Sequence, residues 1–240
     1  MSDPEIQLDY FYDPFCGWCY ASAPALKALT EVFPGALTMR PSGLFAGSGA
    51  RPMAAMAEHS WRNSTRITEL TGQIYTDQYR ERILNNPHGR LDSTLATRAI
   101  VALGEIDSRL EPLLLEALQT ARYVDAKDTA DGAVVAGVAV KVAAERGYSV
   151  NEEAFHDTLV KDEALSTRTS ARVRNTLSTM RELSGSGVPR LLGTIGNYRE
   201  VIDGADLYGG AVAVLKAIRV ARDHASILKD LVSAPGSSAR

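Results

Sequence analysis

The residues of this chain that could do chemistry are its two cysteines, three positions apart in Asp13-Pro14-Phe15-Cys16-Gly17-Trp18-Cys19. Residues at i and i+3 of a helical turn have Cα atoms about 5 to 6 Å apart, which is inside the range that a disulfide needs. The pair can therefore close and reopen without moving the backbone. The spacing predicts a redox-active dithiol.

A strand and a helix would position this dithiol. Apolar side chains alternate over residues 6–12, which predicts a strand that ends just before the cysteines. Helical spacing follows as far as Phe33, with Pro24 tolerated early in the helix. The N–H groups and the positive dipole end of a helix N-terminus stabilise a thiolate. We therefore expect Cys16 to be the nucleophile and Cys19, one turn further in, to resolve the mixed disulfide.

Two other interpretations of the cysteine pair stay open. A tetrahedral zinc site needs two more ligands, but there is no third cysteine, and the four histidines are scattered singly: His59, His88, His156 and His224. Free cysteines can also pack as small apolar core residues. Neither alternative accounts for the strand, turn and helix around the pair, so we predict no metal.

Composition narrows the classes of function. The 240 residues suffice for one large or two small domains, and 26 basic against 29 acidic residues give a formal net charge of −3. Without a basic tract, nucleic-acid binding has no electrostatic support. No segment approaches the roughly 20 apolar residues of a membrane span, and residues 1–5 show no signal-peptide pattern. We expect a cytoplasmic protein with no membrane partner.

Strands flank a long helical segment. A second strand at 36–40 completes a β-α-β unit with parallel pairing. A loop rich in glycine and serine follows at 41–51 and is interpreted as a mobile rim of the active site. A hairpin is predicted at 188–202, with its turn at Gly196-Asn197, and a terminal helix at 205–232.

Residues 52–184 carry almost no strand signal, and helical periodicity predicts a succession of helices. The predicted helices begin near Met53 and lie at about 74–84, 93–103, 113–123, 133–145, 152–160 and 165–183. Asn151 is an expected N-cap, as is Asp92 or Ser93.

The predicted architecture is α/β, with β-α-β and β-β-α halves separated by a large all-helical insertion. The halves form one discontinuous domain, 1–50 and 185–232, and the insertion domain occupies 51–184. Residues 233–240 are small and polar and are predicted to be a flexible tail.

This order of elements resembles the thioredoxin fold, with Cys16-Gly17-Trp18-Cys19 at the first helix and Gly187-Val188-Pro189 opening a later strand. The helical insertion resembles that of the DsbA family. Several stretches are similar to its cytoplasmic branch of predicted protein disulfide isomerases: Asp13-Pro14-Phe15, Ser42-Gly43-Leu44-Phe45-Ala46-Gly47, Asp92-Ser93-Thr94 and Leu118-Gln119-Thr120-Ala121-Arg122-Tyr123. The resemblance covers nearly the whole chain.

The resemblance implies roles for matching positions. Cys16 corresponds to the attacking thiolate and Cys19 to the buried resolving thiol, while Gly17 and Trp18 form the dipeptide that tunes them. Pro189 matches a cis-proline that lies against the sulfurs.

The resemblance also implies a substrate site and an activity. The backbone of Val188 would bind an extended substrate by strand addition, and Phe15 is expected to contribute to substrate binding. The implied activity is that of a thiol–disulfide oxidoreductase or disulfide isomerase acting on protein or peptide thiols and disulfides. The implied chemistry needs no cofactor beyond the redox-active disulfide, with glutathione as a co-substrate.

Some features depart from the family pattern or stay ambiguous. The dipeptide Gly17-Trp18 lacks the histidine of the periplasmic oxidant and the proline of thioredoxin, so the redox potential is left open. Asp13 either assists proton transfer or is a turn residue before Pro14. Three aromatic residues either line a substrate groove or pack internally: Trp61, Tyr75 and Tyr79.

Two other functions compete with disulfide exchange. Kappa-class glutathione transferases and chromene-carboxylate isomerases resemble this scaffold, but they usually carry a single serine at the position of Cys16, and the second thiol argues against them. A non-catalytic peptide-binding or chaperone module would be favoured by loss of either cysteine, and both are present.

Overall fold

The computed structural model describes residues 6–233 and is built around a four-stranded sheet. Strand β1 (Ile6–Tyr12) lies between β2 (Leu37–Pro41) and β5 (Arg190–Ile195), and β6 (Tyr198–Ile202) is the strand beyond β5. β1 pairs with β2 in parallel and with β5 antiparallel, and β5 pairs with β6 antiparallel. The predicted β-α-β unit and the later hairpin are confirmed.

The single helix predicted after β1 is in fact two helices, α1 (Gly17–Ala21) and α2 (Ala23–Val32). The chain breaks the helical path at Ser22, where φ is −91° and ψ is 5°. Pro24 explains the break, because it has no N–H to donate to the carbonyl four residues earlier and its ring crowds that carbonyl. At this break the Ser22 hydroxyl donates to the carbonyl of Cys19 at 3.0 Å.

The insertion is a set of helices joined by short connections. They are α3 (Ala57–Thr71), α4 (Asp77–Tyr79) with a following π-helical turn (Arg80–Leu84), α5 (Thr94–Ile106), α6 (Leu110–Tyr123), α7 (Gly132–Glu145), α8 (Glu152–Lys161) and α9 (Glu163–Glu182). The side chain of Asn151 accepts from the N–H of Ala154 at 2.9 Å, which confirms this N-cap. Ser93 is at the N-cap position of α5, but its side chain makes no capping hydrogen bond.

Three details of the insertion differ from the prediction. The segment Met53–Ala55 is a 3-10 turn, and α3 begins only at Ala57. The helix expected from residue 74 begins at Asp77, because the Thr76 side chain caps it by accepting from the N–H of Tyr79 at 3.2 Å. Two-residue strands, β3 (Arg51–Pro52) and β4 (Arg90–Leu91), pair antiparallel and are too short to produce a periodic signal.

The terminal helix predicted over 205–232 is also interrupted. It consists of α10 (Ala205–Tyr208) and α11 (Gly210–Ser233). Gly210 has φ +73°, outside the right-handed helical region, so one continuous helix cannot pass through this residue. The tail predicted at 233–240 lies, beyond Ser233, outside the described residues.

One apolar core joins the sheet to the insertion. Its members include Tyr10 of β1, Leu29 of α2, Ile100 of α5, Leu115 of α6 and Leu191 of β5, all fully buried. The division into a discontinuous domain and an insertion domain stays a prediction. Within residues 6–233, no helix combines the length and apolar character needed to cross a membrane.

Candidate active site

The two cysteines meet at the start of α1. Cys16 is the N-cap residue, with φ −77° and ψ 114°, and its carbonyl accepts from the N–H groups of Cys19 at 2.9 Å and Tyr20 at 3.2 Å. This turn brings the side chains of the cysteines into hydrogen-bonding contact, and both thiols are free. The helix behind them has only five residues, so its dipole is smaller than that of the long helix expected from sequence.

The two thiols differ in burial and in protonation. Cys16 is 6% exposed and Cys19 is 1% exposed. Burial raises the pKa of the Cys19 thiol well above its ordinary value, and its contact with the Cys16 side chain raises it further. Cys19 is therefore a protonated thiol at neutral pH, while Cys16 is the more accessible sulfur.

A distant segment of the chain lies against the outer cysteine. The peptide bond between Val188 and Pro189 is cis, as the resemblance implied. The Cys16 Sγ donates to the carbonyl oxygen of Val188 at 3.6 Å. The segment before β5 therefore lies beside the dithiol, although 172 positions separate Cys16 from Val188.

Asp13 organises the loops around the dithiol. Its fully buried carboxylate accepts from the N–H of Phe15 at 2.9 Å, the N–H of Phe45 at 3.1 Å and the hydroxyl of Ser93 at 3.0 Å. Burial raises the pKa of this carboxyl, and the hydrogen bonds partly oppose the rise. These contacts are those of a turn residue, and the bond to Phe45 ties the loop at 41–51, which the sequence predicts to be a mobile rim, to the site.

Tyrosines form the wall of the site on the side of the insertion. The hydroxyl of Tyr75 donates to the carbonyl of Gly17 at 3.1 Å, and that of Tyr123 donates to the carbonyl of Phe15 at 2.9 Å. The ring centroid of Tyr123 lies 4.9 to 5.2 Å from those of three neighbours: Tyr20, Tyr75 and Tyr79.

This packing decides the ambiguous aromatic residues. Tyr79 is buried at 3% exposure, and Tyr75 is part of the wall. Trp61 is half-buried, and the guanidinium of Arg80 lies 4.9 Å from its ring centroid. These contacts are packing within the insertion and, for Tyr75, against α1, and they favour internal packing over an open groove.

The side chain of Phe15 lies beneath the loop rather than at the surface. Its ring is 5% exposed, and the guanidinium carbon of Arg122 lies 4.1 Å from the ring centroid. In this position the ring packs on the protein and supports the loop that carries Cys16.

Trp18 forms the outer edge of the site. It is half-buried, and its ring centroid is 5.0 Å from that of Tyr208, at the end of α10. The guanidinium carbon of Arg66 lies over the same ring, 5.6 Å from its centroid.

Comparison with known proteins identifies the arrangement. A family model described as the DSBA-like thioredoxin domain matches residues 7–189. The chain belongs to this DsbA-like family. It is a thiol–disulfide oxidoreductase with a thioredoxin fold and a helical insertion.

Solved structures of similar proteins support the assignment of this chain to the DsbA-like fold. The cytosolic disulfide reductase DsbM from Pseudomonas aeruginosa has 24% identity and a TM-score of 0.72, covering 94% of this chain and 99% of its own. A DsbM structure with GSH has 25% identity and a TM-score of 0.72, with coverages of 89% and 98%. A candidate protein disulfide isomerase from Nitrosomonas europaea has 22% identity and a TM-score of 0.67, with coverages of 90% and 97%. No curated protein matches significantly.

Three contributors to the DsbA-like site escaped sequence reasoning. They are Ser93, Arg122 and Tyr123, which reach the loop of Cys16 from α6 or from the turn before α5. The stretches that contain them resemble the family, but nothing in their local pattern indicates which side chains point at the dithiol. The described residues contain no cluster of three or more histidine, cysteine or acidic side chains arranged around a common point.

Proposed function

We propose that the protein exchanges disulfides through Cys16 as nucleophile and Cys19 as resolving thiol. The Cys16 thiolate attacks one sulfur of a substrate disulfide, forming a mixed disulfide and releasing the other sulfur as a thiolate. The thiol of Cys19 then loses its proton and attacks Cys16, releasing the second substrate thiol. The substrate gains two electrons, and the enzyme is left with a Cys16–Cys19 disulfide.

The contact between Cys16 and the Val188 carbonyl is the observation that carries this proposal. It places the more accessible sulfur beside the partly exposed Val188, just before β5, where we propose that a substrate backbone lies. When Cys16 ionises or forms a disulfide, its S–H no longer donates to that carbonyl. The carbonyl of Val188 is then free to accept an N–H from an extended substrate by strand addition.

The different environments of the cysteines support the order of the steps. Cys19 is nearly inaccessible, and its raised pKa keeps it protonated while Cys16 reacts. Attack by Cys19 also requires its sulfur to lie against Cys16, as it does here. Gly17 and Trp18, between the two thiols, are proposed to tune their potential, with Pro189 closing the site on the opposite side.

Glutathione is the proposed reductant. A GSH thiolate attacks the Cys16–Cys19 disulfide, and a second GSH thiolate releases Cys16, giving the reduced enzyme and oxidised glutathione. The DsbM structure with GSH, at 25% identity, supports this choice. We place the reaction in the cytoplasm, with protein or peptide disulfides as substrates and no resident cofactor. A substrate thiol that attacks the mixed disulfide before Cys19 does would instead rearrange substrate disulfides.

Single-cysteine variants test the proposal. Cys16→Ser should abolish reduction of a disulfide-linked fluorescent peptide, and Cys19→Ser should accumulate a mixed disulfide that mass spectrometry detects. In the unaltered protein, alkylation after equilibration with a GSH series should show one reversible two-electron transition. Activity in Cys16→Ser, or no intramolecular disulfide at any GSH ratio, would refute the mechanism.

A further inference from the structure

The rim of the site carries a cation that the exchange chemistry does not use. Arg66 lies on α3 and is exposed, with its guanidinium 5.6 Å from the ring centroid of Trp18. The same helix packs against the dipeptide, because a Cβ on Gly17 would lie 3.3 Å from the side chain of Ile67. The position of Arg66 is therefore set by both the helix and the indole ring.

Arg66 makes no hydrogen bond or ion pair with any of residues 6–233, so its N–H groups are not used within this part of the chain. Arg62, one turn earlier on α3, differs because its guanidinium bonds to Glu58 at 2.7 Å. A guanidinium stacked over a ring keeps its N–H groups at its edge, where they can bind a carboxylate with two parallel hydrogen bonds.

The surrounding charges direct an anionic substrate towards α3. Asp203 is exposed and acts on Tyr208, whose ring packs against Trp18: its negative charge contributes to raising the pKa of that tyrosine. A carboxylate near Tyr208 would be repelled by like charge. Glu69 on α3 is exposed and forms no ion pair with Arg66 among the described residues. The α3 side of Trp18 therefore offers an unneutralised cation.

We propose that Arg66 binds a carboxylate of the disulfide substrate, so that the enzyme prefers disulfides with a carboxylate close to the reacting sulfur. Glutathione mixed disulfides belong to this class, as do peptides with an acidic residue beside cysteine. The proposal rests on the proposed function, because the carboxylate is brought to Trp18 by reaction of its sulfur with Cys16. Arg66 is a specificity-determining residue and takes no part in the electron transfer.

Paired probes test the charge preference. The Cys19→Ser background isolates the first attack, and the rate of mixed-disulfide formation is measured by mass with oxidised glutathione and with its fully esterified form. Arg66→Gln should lower the second-order rate constant for oxidised glutathione by about tenfold and change that for the ester by less than about twofold. The rate constant of Arg66→Lys for oxidised glutathione should lie between those of the parent and Arg66→Gln, since lysine keeps the charge and loses the planar fork.

Arg62→Gln is the matched control, because Arg62 lies on the same helix but is held by Glu58. It should leave unchanged the ratio of the rate constant for oxidised glutathione to that for its ester. In the parent this ratio should fall as salt is added, because salt screens the charge of Arg66, and in Arg66→Gln it should not depend on salt. Equal rate constants for both probes in the parent, or an equal fall in both rate constants in Arg66→Gln, would overturn the proposed role of Arg66 and leave the proposed function standing. Failure of both probes to react with Cys16 would instead refute the proposed function and this inference with it.

Discussion

The thiol of Cys16 donates to the carbonyl of Val188 at 3.6 Å, joining the first turn of α1 to the segment that opens β5. This contact closes the site from two ends of the chain. It also occupies the carbonyl that we propose as the acceptor for a substrate N–H, and under that proposal one hydrogen bond couples substrate binding to ionisation of Cys16. The inner thiol takes no part in this contact and is covered by the protein.

Iodoacetamide should therefore distinguish the two thiols. At neutral pH the folded, reduced protein is expected to take up one label, at Cys16, because Cys19 is 1% exposed and burial raises the pKa of its thiol above 9.0. Denatured protein should take up two labels. Peptide mapping by mass spectrometry gives the site.

The pH dependence of thiol labelling also tests the difference between Cys16 and Cys19. Labelling of Cys19 in Cys16→Ser should stay slow through the neutral range and rise only at alkaline pH, because burial, the main cause of the raised pKa of this thiol, is kept in the variant. The reciprocal variant Cys19→Ser is the control for reagent access. Equal labelling rates for Cys16 and Cys19 in the native protein would contradict the assignment of outer and inner thiols.

Substitution of Asp13 should loosen the loops around the dithiol. In Asp13→Asn, the amide NH2 faces groups that donate to the native carboxylate, including the N–H of Phe45 and the hydroxyl of Ser93. At least one of these buried donors loses its acceptor, so we expect the free energy of unfolding at neutral pH to fall by about 1 to 3 kcal/mol. Urea denaturation measures the change.

Asp13 should also leave a signature in the pH dependence of stability. Burial raises its pKa in the folded protein above the ordinary 3.8, so between the unfolded and folded pKa values the folded chain binds the extra proton. The free energy of unfolding contributed by this group therefore falls as pH rises through that window and is constant above it. Asp13→Asn removes this slope. Asp131→Asn, at an exposed helix N-cap where asparagine also caps well, is the control. An unchanged slope in Asp13→Asn would count against a raised pKa.

Two helical glycines should respond in opposite directions to alanine. A Cβ on Gly104 of α5 would lie 2.6 Å from the carboxyl carbon of Glu111, which is 5% exposed and held by two hydrogen bonds from Arg172. The side chain of Glu111 cannot move without losing that buried pair, so Gly104→Ala should destabilise the protein by about 1 to 3 kcal/mol.

Gly137 of α7 provides the matched comparison. A Cβ there would lie 3.4 Å from the side chain of Glu152, an ordinary contact. Gly137→Ala should therefore stabilise by about 0.5 to 1 kcal/mol through helix propensity. Thermal and urea unfolding of both variants measure the two changes in the free energy of unfolding. A stabilising Gly104→Ala would show that Glu111 is free to rearrange.

Local signals in the sequence predicted much of the fold. The alternation over 6–12 and the turn at Gly196-Asn197 predicted β1 and the hairpin, and Asn151 predicted the start of α8. Each depends on residues within a few positions of one another. The helix breaks near Ser22 and at Gly210 were missed, because helical periodicity continues across both.

The sequence by itself indicated the chemistry of this protein, because two cysteines at helical spacing after a strand can form and break a disulfide without moving the backbone. The tertiary structure decided which groups surround that chemistry. Ser93 and Tyr123 reach the loop of Cys16, and Arg66 reaches the ring of Trp18, from different elements, and no local pattern marks these contacts. The difference is physical, because a turn is specified by neighbouring residues, whereas protonation and substrate preference depend on burial and charge supplied by segments that meet only in the folded chain.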